Sequence, residues 1–179
     1  MKTFLKYFAM PLLIAIVASV LYITDALIGG LFVKNGSFMW VAFAIWTIFY
    51  GASFKDRIKG LIGVIVGFFA AVLMMTITNS FTVNICTISI SCLLGVFIVN
   101  ALVMYMNHGE KIWLNSVSGA FAGIFLTFSG LGVGLSPVTS FNSGALMLGI
   151  LVVYAILGLI CGYISITVQN KVNQKLSNK

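Results

Sequence analysis

The sequence is short of charge. Only 7% of its 179 residues are Asp, Glu, Lys or Arg, and acids number three: Asp25, Asp56 and Glu110. A soluble domain carries about 25% charged residues, most of them on its outer face. Three acids and ten bases cannot cover a chain of this length, so a water-facing globule is excluded. The same scarcity thins out the chemistry. His108 is the single histidine, in a short polar stretch, and no Ser/His/Asp set, HExxH or phosphate-binding glycine loop is present. The expectation is a protein that is not an enzyme, with no cofactor and no metal site. Cysteine is also scarce: Cys86, Cys92 and Cys161 are odd in number, lie in apolar runs and form no CxxC. They are expected to be buried free thiols packing as small apolar residues.

What is abundant is hydrocarbon. Apolar residues make up 61% of the chain and mean hydropathy is +1.15. The solvent that accepts such side chains on the outside is a lipid bilayer, whose hydrocarbon core takes about 20 residues of helix. Six runs qualify, at Phe8–Ile28, Phe38–Phe54, Ile58–Ile77, Val83–Met106, Trp113–Val133 and Gly144–Val168. Between them lie Lys34-Asn35-Gly36-Ser37, the charged Lys55-Asp56-Arg57, the uncharged Thr78-Asn79-Ser80, Asn107 to Lys111, and Gly134 to Ser143 with Pro137. The sequence therefore predicts one all-α domain over residues 1–179, an integral membrane bundle of six transmembrane helices. Gln169–Lys179 forms a basic tail. Lys2 and Lys6 ahead of Pro11–Leu21 resemble the start of a signal peptide, but Thr24-Asp25-Ala26 is a poor cleavage site. The segment is expected to be retained as the first helix.

The net charge of +7 does not point to nucleic acid, because the bases sit at the ends of apolar runs rather than in one patch. Lys2, Lys6, Lys55, Arg57, Lys59, Lys111, Lys171, Lys175 and Lys179 fall on one side of an alternating six-helix chain, and only Lys34 on the other. Basic short loops mark the cytoplasmic side, so the chain is expected to be multi-pass with both termini cytoplasmic. Its partners there would be anionic lipid headgroups.

Small residues recur at four-residue spacing in Gly63/Gly67, Gly119/Gly123, Gly130/Gly134 and Gly158/Gly162, which lets helices approach closely. Ile45-Trp46-Thr47-Ile48-Phe49-Tyr50-Gly51 matches Ile124-Phe125-Leu126-Thr127-Phe128-Ser129-Gly130 in its Ile, second aromatic, Phe and Gly. Three helices before and three after would give a 3+3 inverted repeat, common in transporters and channels, although the third and sixth runs match less well. Trp40, Phe43, Trp46 and Tyr50 fall on one face of the second run, and Phe121, Phe125 and Phe128 on one face of the fifth. Such stripes pack against core or lipid, or form a constriction that admits small neutral solutes and excludes hydrated ions. Asp25, near the outer end of the first run, can reach the interface, pair with Lys34, or contact a solute. Asn100 in the fourth run is expected to meet another helix or water.

The segment Gly119-Ala120-Phe121-Ala122-Gly123-Ile124-Phe125-Leu126-Thr127-Phe128-Ser129-Gly130 resembles the GxFxGxxxTF(A/S)G segment of YcdZ-type bacterial inner-membrane proteins, grouped as domain of unknown function 1097. Trp40 through Phe49-Tyr50-Gly51 and the glycine-rich third run are also similar, so the likeness spans about Ser37 to Val168. Ser118 stands where relatives are expected to carry proline, and Lys55-Asp56-Arg57 where a glycine-rich turn is expected. The resemblance implies a small helical protein of the bacterial cytoplasmic membrane and no established activity.

The functional expectation is a homo-oligomeric channel or facilitator for a small neutral or weakly polar solute. Trp46, Phe49, Phe125 and Phe128 would form its constriction, with Phe121 on the same stripe. Thr47 and Thr127 would offer hydroxyls, and Gly119, Gly123 and Gly130 would admit close approach. Two alternatives stand beside it. One is the substrate-binding membrane subunit of a vitamin-type (energy-coupling factor) importer, with a polar pocket from Asp25, Asn79, Asn84 and Asn142. The other is a non-transporting scaffold or regulator.

Overall fold

The computed structural model describes residues 2–33, 37–80, 84–85, 88–106, 116–131, 134–135 and 140–177. Its elements in order are α1 (Lys2–Phe32), α2 (Met39–Ile48), α3 (Phe54–Ser80), β1 (Asn84–Ile85), β2 (Ile88–Ser89), α4 (Ile90–Met106), α5 (Val117–Gly130) and α6 (Phe141–Ser177). Among the described residues the regular structure is helical apart from the antiparallel β1–β2 pair, in register Asn84 with Ser89 and Ile85 with Ile88.

Six helices form, but their lengths differ from the expected spans. Among the described residues, three helices can cross a membrane by length and composition: Pro11–Phe32 within α1, Phe54–Ser80, and Asn142–Gln174 within α6. The helices α2, α4 and α5, of 10, 17 and 14 residues, are apolar but shorter than a bilayer's hydrocarbon core requires. The second run does not continue to Phe54. Its helix ends at Phe49, and the chain turns through Gly51 at φ +80°, a conformation that costs glycine little. The fourth run starts as helix at Ile90 and not at Val83. Ile85 and Ile88 favour extended backbone, and Ser89 Oγ then accepts the Cys92 N–H as an N-cap.

Serines set three further starts. Ser53 Oγ accepts the N–H of Asp56 at 3.2 Å and donates to the Asp56 carboxylate at 2.6 Å. This moves Lys55-Asp56-Arg57 from the expected hairpin loop into the first turn of α3, where Arg57 is buried. Ser116 and Ser140 cap α5 and α6 through the N–H groups of Gly119 and Ser143. Thr78-Asn79-Ser80, expected as a loop, is the last turn of α3, with Thr78 and Ser80 donating to the carbonyls of Met74 and Thr76. Most of the expected basic tail is helical, as α6 runs to Ser177. The expected loop at Asn107–Lys111, with His108 and Glu110, lies outside the described residues, as do Lys34 and Cys86. Of the other thiols, Cys161 is buried and Cys92 is exposed on α4.

The chain divides into two compact units. Residues 1–52 and 154–179 make the first, 53–153 the second, so α6 contributes to each. In the second unit α3 is central. Its Ala70, Ala71, Met74 and Met75 meet Val99 and Val103 of α4 and Ala120 and Ile124 of α5 in one apolar core. In the first unit α2 buries Val41, Ala42, Ile45 and Trp46. Large apolar side chains stand bare elsewhere, among them Leu31 on α1 and Tyr105 on α4, each 80% exposed. Water does not tolerate so extended an apolar surface, and lipid does.

Candidate functional site

Three features could carry function, and each lies inside one unit. The first is a buried polar knot around Asp25. This carboxylate is 2% exposed, near the end of α1. Its Oδ2 accepts from the Ser37 hydroxyl at 2.6 Å, and its Oδ1 accepts from the Phe38 N–H at 2.9 Å and the Tyr154 hydroxyl at 2.5 Å. Phe38 is the N-cap of α2 and has no side-chain oxygen to offer. The carboxylate on α1 therefore takes an N–H at the start of α2, where the helix dipole favours negative charge. The rings of Phe32, Phe38 and Tyr154 pack around the knot with centroids 5.8 to 6.5 Å apart. Three donors from two other elements hold the group that sequence reasoning offered to Lys34, the interface or a solute. Tyr154 was not among the expected site residues. The one signal for it was a phenol near the middle of the sixth apolar run, which also holds Tyr163.

The second feature is an open cleft of about 350 Å³ lined by Ile14 of α1 and Phe43, Trp46, Thr47 and Tyr50 of α2 and its terminal turn. Phe43 and Trp46 are stacked at 5.6 Å with an interplanar angle of 18°. The Thr47 hydroxyl donates to the Phe43 carbonyl, and the Tyr50 hydroxyl donates to Gln169 Oε1 of α6 at 3.0 Å. The lining is thus carbon with its hydroxyl protons already committed. Trp46 and Thr47, both expected on a solute path, meet here, while Phe49 is buried beside them in the same unit.

The third feature is the crossing of α3 and α5. A β-carbon at Gly63 would stand 2.9 Å from Gly119 Cα, one at Gly67 would strike the Ala120 carbonyl, and one at Gly123 would strike the Val64 carbonyl. The backbones touch, so the faces of Gly119 and Gly123 are filled by α3 and leave no passage there. Gly130 faces the Met147 side chain of α6. Thr127 is fully buried and donates to the Gly123 carbonyl at 2.7 Å. Phe128 packs against the core of this unit, whereas Phe121 and Phe125 stand 39% and 64% exposed. Asn100 is half-buried on α4, and Asn79 and Asn142 are exposed. Among the described residues no group of His, Cys, Asp or Glu could hold a metal ion.

Comparison with protein-family models, with curated proteins and with solved structures finds no match.

Proposed function

We propose that the chain is a small membrane channel or facilitator for a neutral or weakly polar solute. In this proposal it crosses the bacterial cytoplasmic membrane six times as a 3+3 inverted repeat, with both termini cytoplasmic, and assembles as a homo-oligomer. The observation that carries the reading is the equivalence of α2 and α5. Both are short for a membrane crossing, and each ends a few residues before a glycine of positive φ, Gly51 at +80° and Gly134 at +79°, although the sequence match pairs Gly51 with Gly130 inside α5. Each is also crossed by a glycine pair. Gly63 and Gly67 of α3 press on α5, and Gly158 and Gly162 of α6 press on α2 at Ala42, Ile45 and Trp46. Under a 3+3 repeat the second helix corresponds to the fifth and the third to the sixth, so these two crossings would be counterparts, with Gly67 against Ala120 and Gly158 against Ala42 the closest approach in each. Short, glycine-interrupted helices at corresponding places in the two halves are the best structural pointer to a transport site.

Direction supports the same count. Contacts advance together along α3 and α5, and along α6 and α2, so both pairs are parallel. Six alternate crossings require this of helices three and five and of helices two and six. The proposed path keeps Trp46, Thr47 and Phe49 in the first unit and Phe125 and Phe128 in the second; the Thr47 hydroxyl is exposed, whereas Thr127 is fully buried.

Proteoliposomes carrying the protein should swell or shrink faster than empty ones when challenged with small neutral solutes, read by stopped-flow light scattering. Unchanged rates across a panel from water and urea to glycerol and small amides would overturn the channel and leave the scaffold.

A further inference from the structure

We propose that the α1–α2 cleft is the seat of one anionic glycerophospholipid, its acyl chain against Phe43, Trp46 and Ile14 and its phosphate at the lysines of the same end of this unit. The lining selects hydrocarbon: three of the five residues are aromatic, and the hydroxyls of Thr47 and Tyr50 already donate within the protein. A volume of about 350 Å³ lies within the range of small-ligand sites. The cleft is open rather than enclosed, so a long chain can enter it from the side of the bundle.

Charge selects the headgroup. Ile14 lies eight residues beyond Lys6 on α1, about 12 Å along the helix. On α6, Gln169, which holds the Tyr50 hydroxyl, is followed by Lys171 and Lys175. No acid lies in the described parts of α1 before Asp25, nor in α6. The polar rim formed by Tyr50 and Gln169 therefore marks the end of the cleft at which Lys171 stands exposed, and lysines snorkel toward an interface from such positions. Basic rims beside clefts between membrane helices recognise anionic headgroups. This rests on the chain lying in a membrane; Trp46 and Thr47 also belong to the proposed solute path, so lipid and solute would compete for them, and the quenching assay reads the lipid without reading flux.

The test uses the full chain with Trp40→Phe and Trp113→Phe, leaving Trp46 as the fluorophore, in phosphatidylcholine vesicles containing a minority of phosphatidylglycerol. Bromine is placed on the acyl chains of one lipid or the other. Per mole, brominated phosphatidylglycerol should quench Trp46 about fivefold more than brominated phosphatidylcholine, roughly what one basic residue near the surface contributes. Lys6→Gln with Lys171→Gln should bring the ratio toward one. The same comparison on the unsubstituted chain reads all three tryptophans and should keep the same sign. Equal quenching by the two lipids would overturn the proposal, and so would no quenching at all, the result of a second copy covering the cleft.

Discussion

At the scale of single residues, the Asp25 knot ties three helices with one side chain. Hydrogen bonds to a charged acceptor contribute about 1.5–3 kcal/mol each, and a buried donor left without a partner costs about 1–3 kcal/mol. Tyr154→Phe removes one donor and leaves the carboxylate with Ser37 and Phe38, so it should destabilise by about 1.5–3 kcal/mol. Asp25→Ala strands the Phe38 N–H and the Tyr154 hydroxyl together, and should cost more than Tyr154→Phe. The two are in contact, so the double variant should cost less than the two losses added. Unfolding in mixed micelles of rising dodecyl sulfate measures all three. Additive losses would mean that Asp25 and Tyr154 act separately. Solute transport in Asp25→Asn answers a different question: loss of flux in a variant that stays folded would return this carboxylate to the solute path.

The two glycine crossings belong to the scale of elements. At Gly67 and Gly158 an added methyl meets backbone carbonyls, of Ala120 and Ala42 respectively, and a carbonyl cannot rotate away as a side chain can. Gly67→Ala and Gly158→Ala should each cost about 1–3 kcal/mol through overpacking. Gly149→Ala is the control, since nothing stands within 4 Å of its missing β-carbon. It should be neutral or stabilising by up to about 1 kcal/mol, from helix propensity. The same unfolding assay reads them, and similar losses at Gly67 and Gly158 are what two equivalent crossings require. Spacing alone announced these glycines as small faces, because a GxxxG pattern reports how near a helix can come. It does not report which helix comes, so the meeting of Gly63/Gly67 with Gly119/Gly123 could not be read from sequence. Helix ends were legible only in part for a related reason. Hydropathy measures transfer into lipid and is blind to backbone geometry, so apolar Ile85 and Ile88 were drawn into the fourth run although they pair as strand. The serines at 53, 116 and 140 were the better local signal, each accepting the N–H three residues on. Tyr154 had no such signal, since its partner lies 129 residues away.

At the scale of the whole molecule, the open quantity is the number of crossings, and charge and length speak to it differently. Length gives three helices that can span alone, α1, α3 and α6. With nothing else crossing, α1 and α3 would be joined by a segment that returns through α2 without spanning. Charge argues for return by crossing: Lys55, Arg57 and Lys59 would share a side with Lys2 and Lys6 only if α2 traverses the bilayer. A helix of ten residues covers about 15 Å, half the hydrocarbon core. It can complete a crossing where α6 covers its backbone at Ala42 and Trp46, because unpaired polar groups are tolerated at membrane depth inside protein. The prediction is a labelling pattern. In a background with Cys86, Cys92 and Cys161 replaced by serine or alanine, a cysteine at Ser37 or Ser140 should react with an impermeant maleimide added outside intact cells. A cysteine at Ser53 or Asn173 should react only after the membrane is opened. Labelling of Ser37→Cys and Ser53→Cys from the same side would mean that α2 enters the bilayer and turns back, and the six-crossing inverted repeat would fall with it.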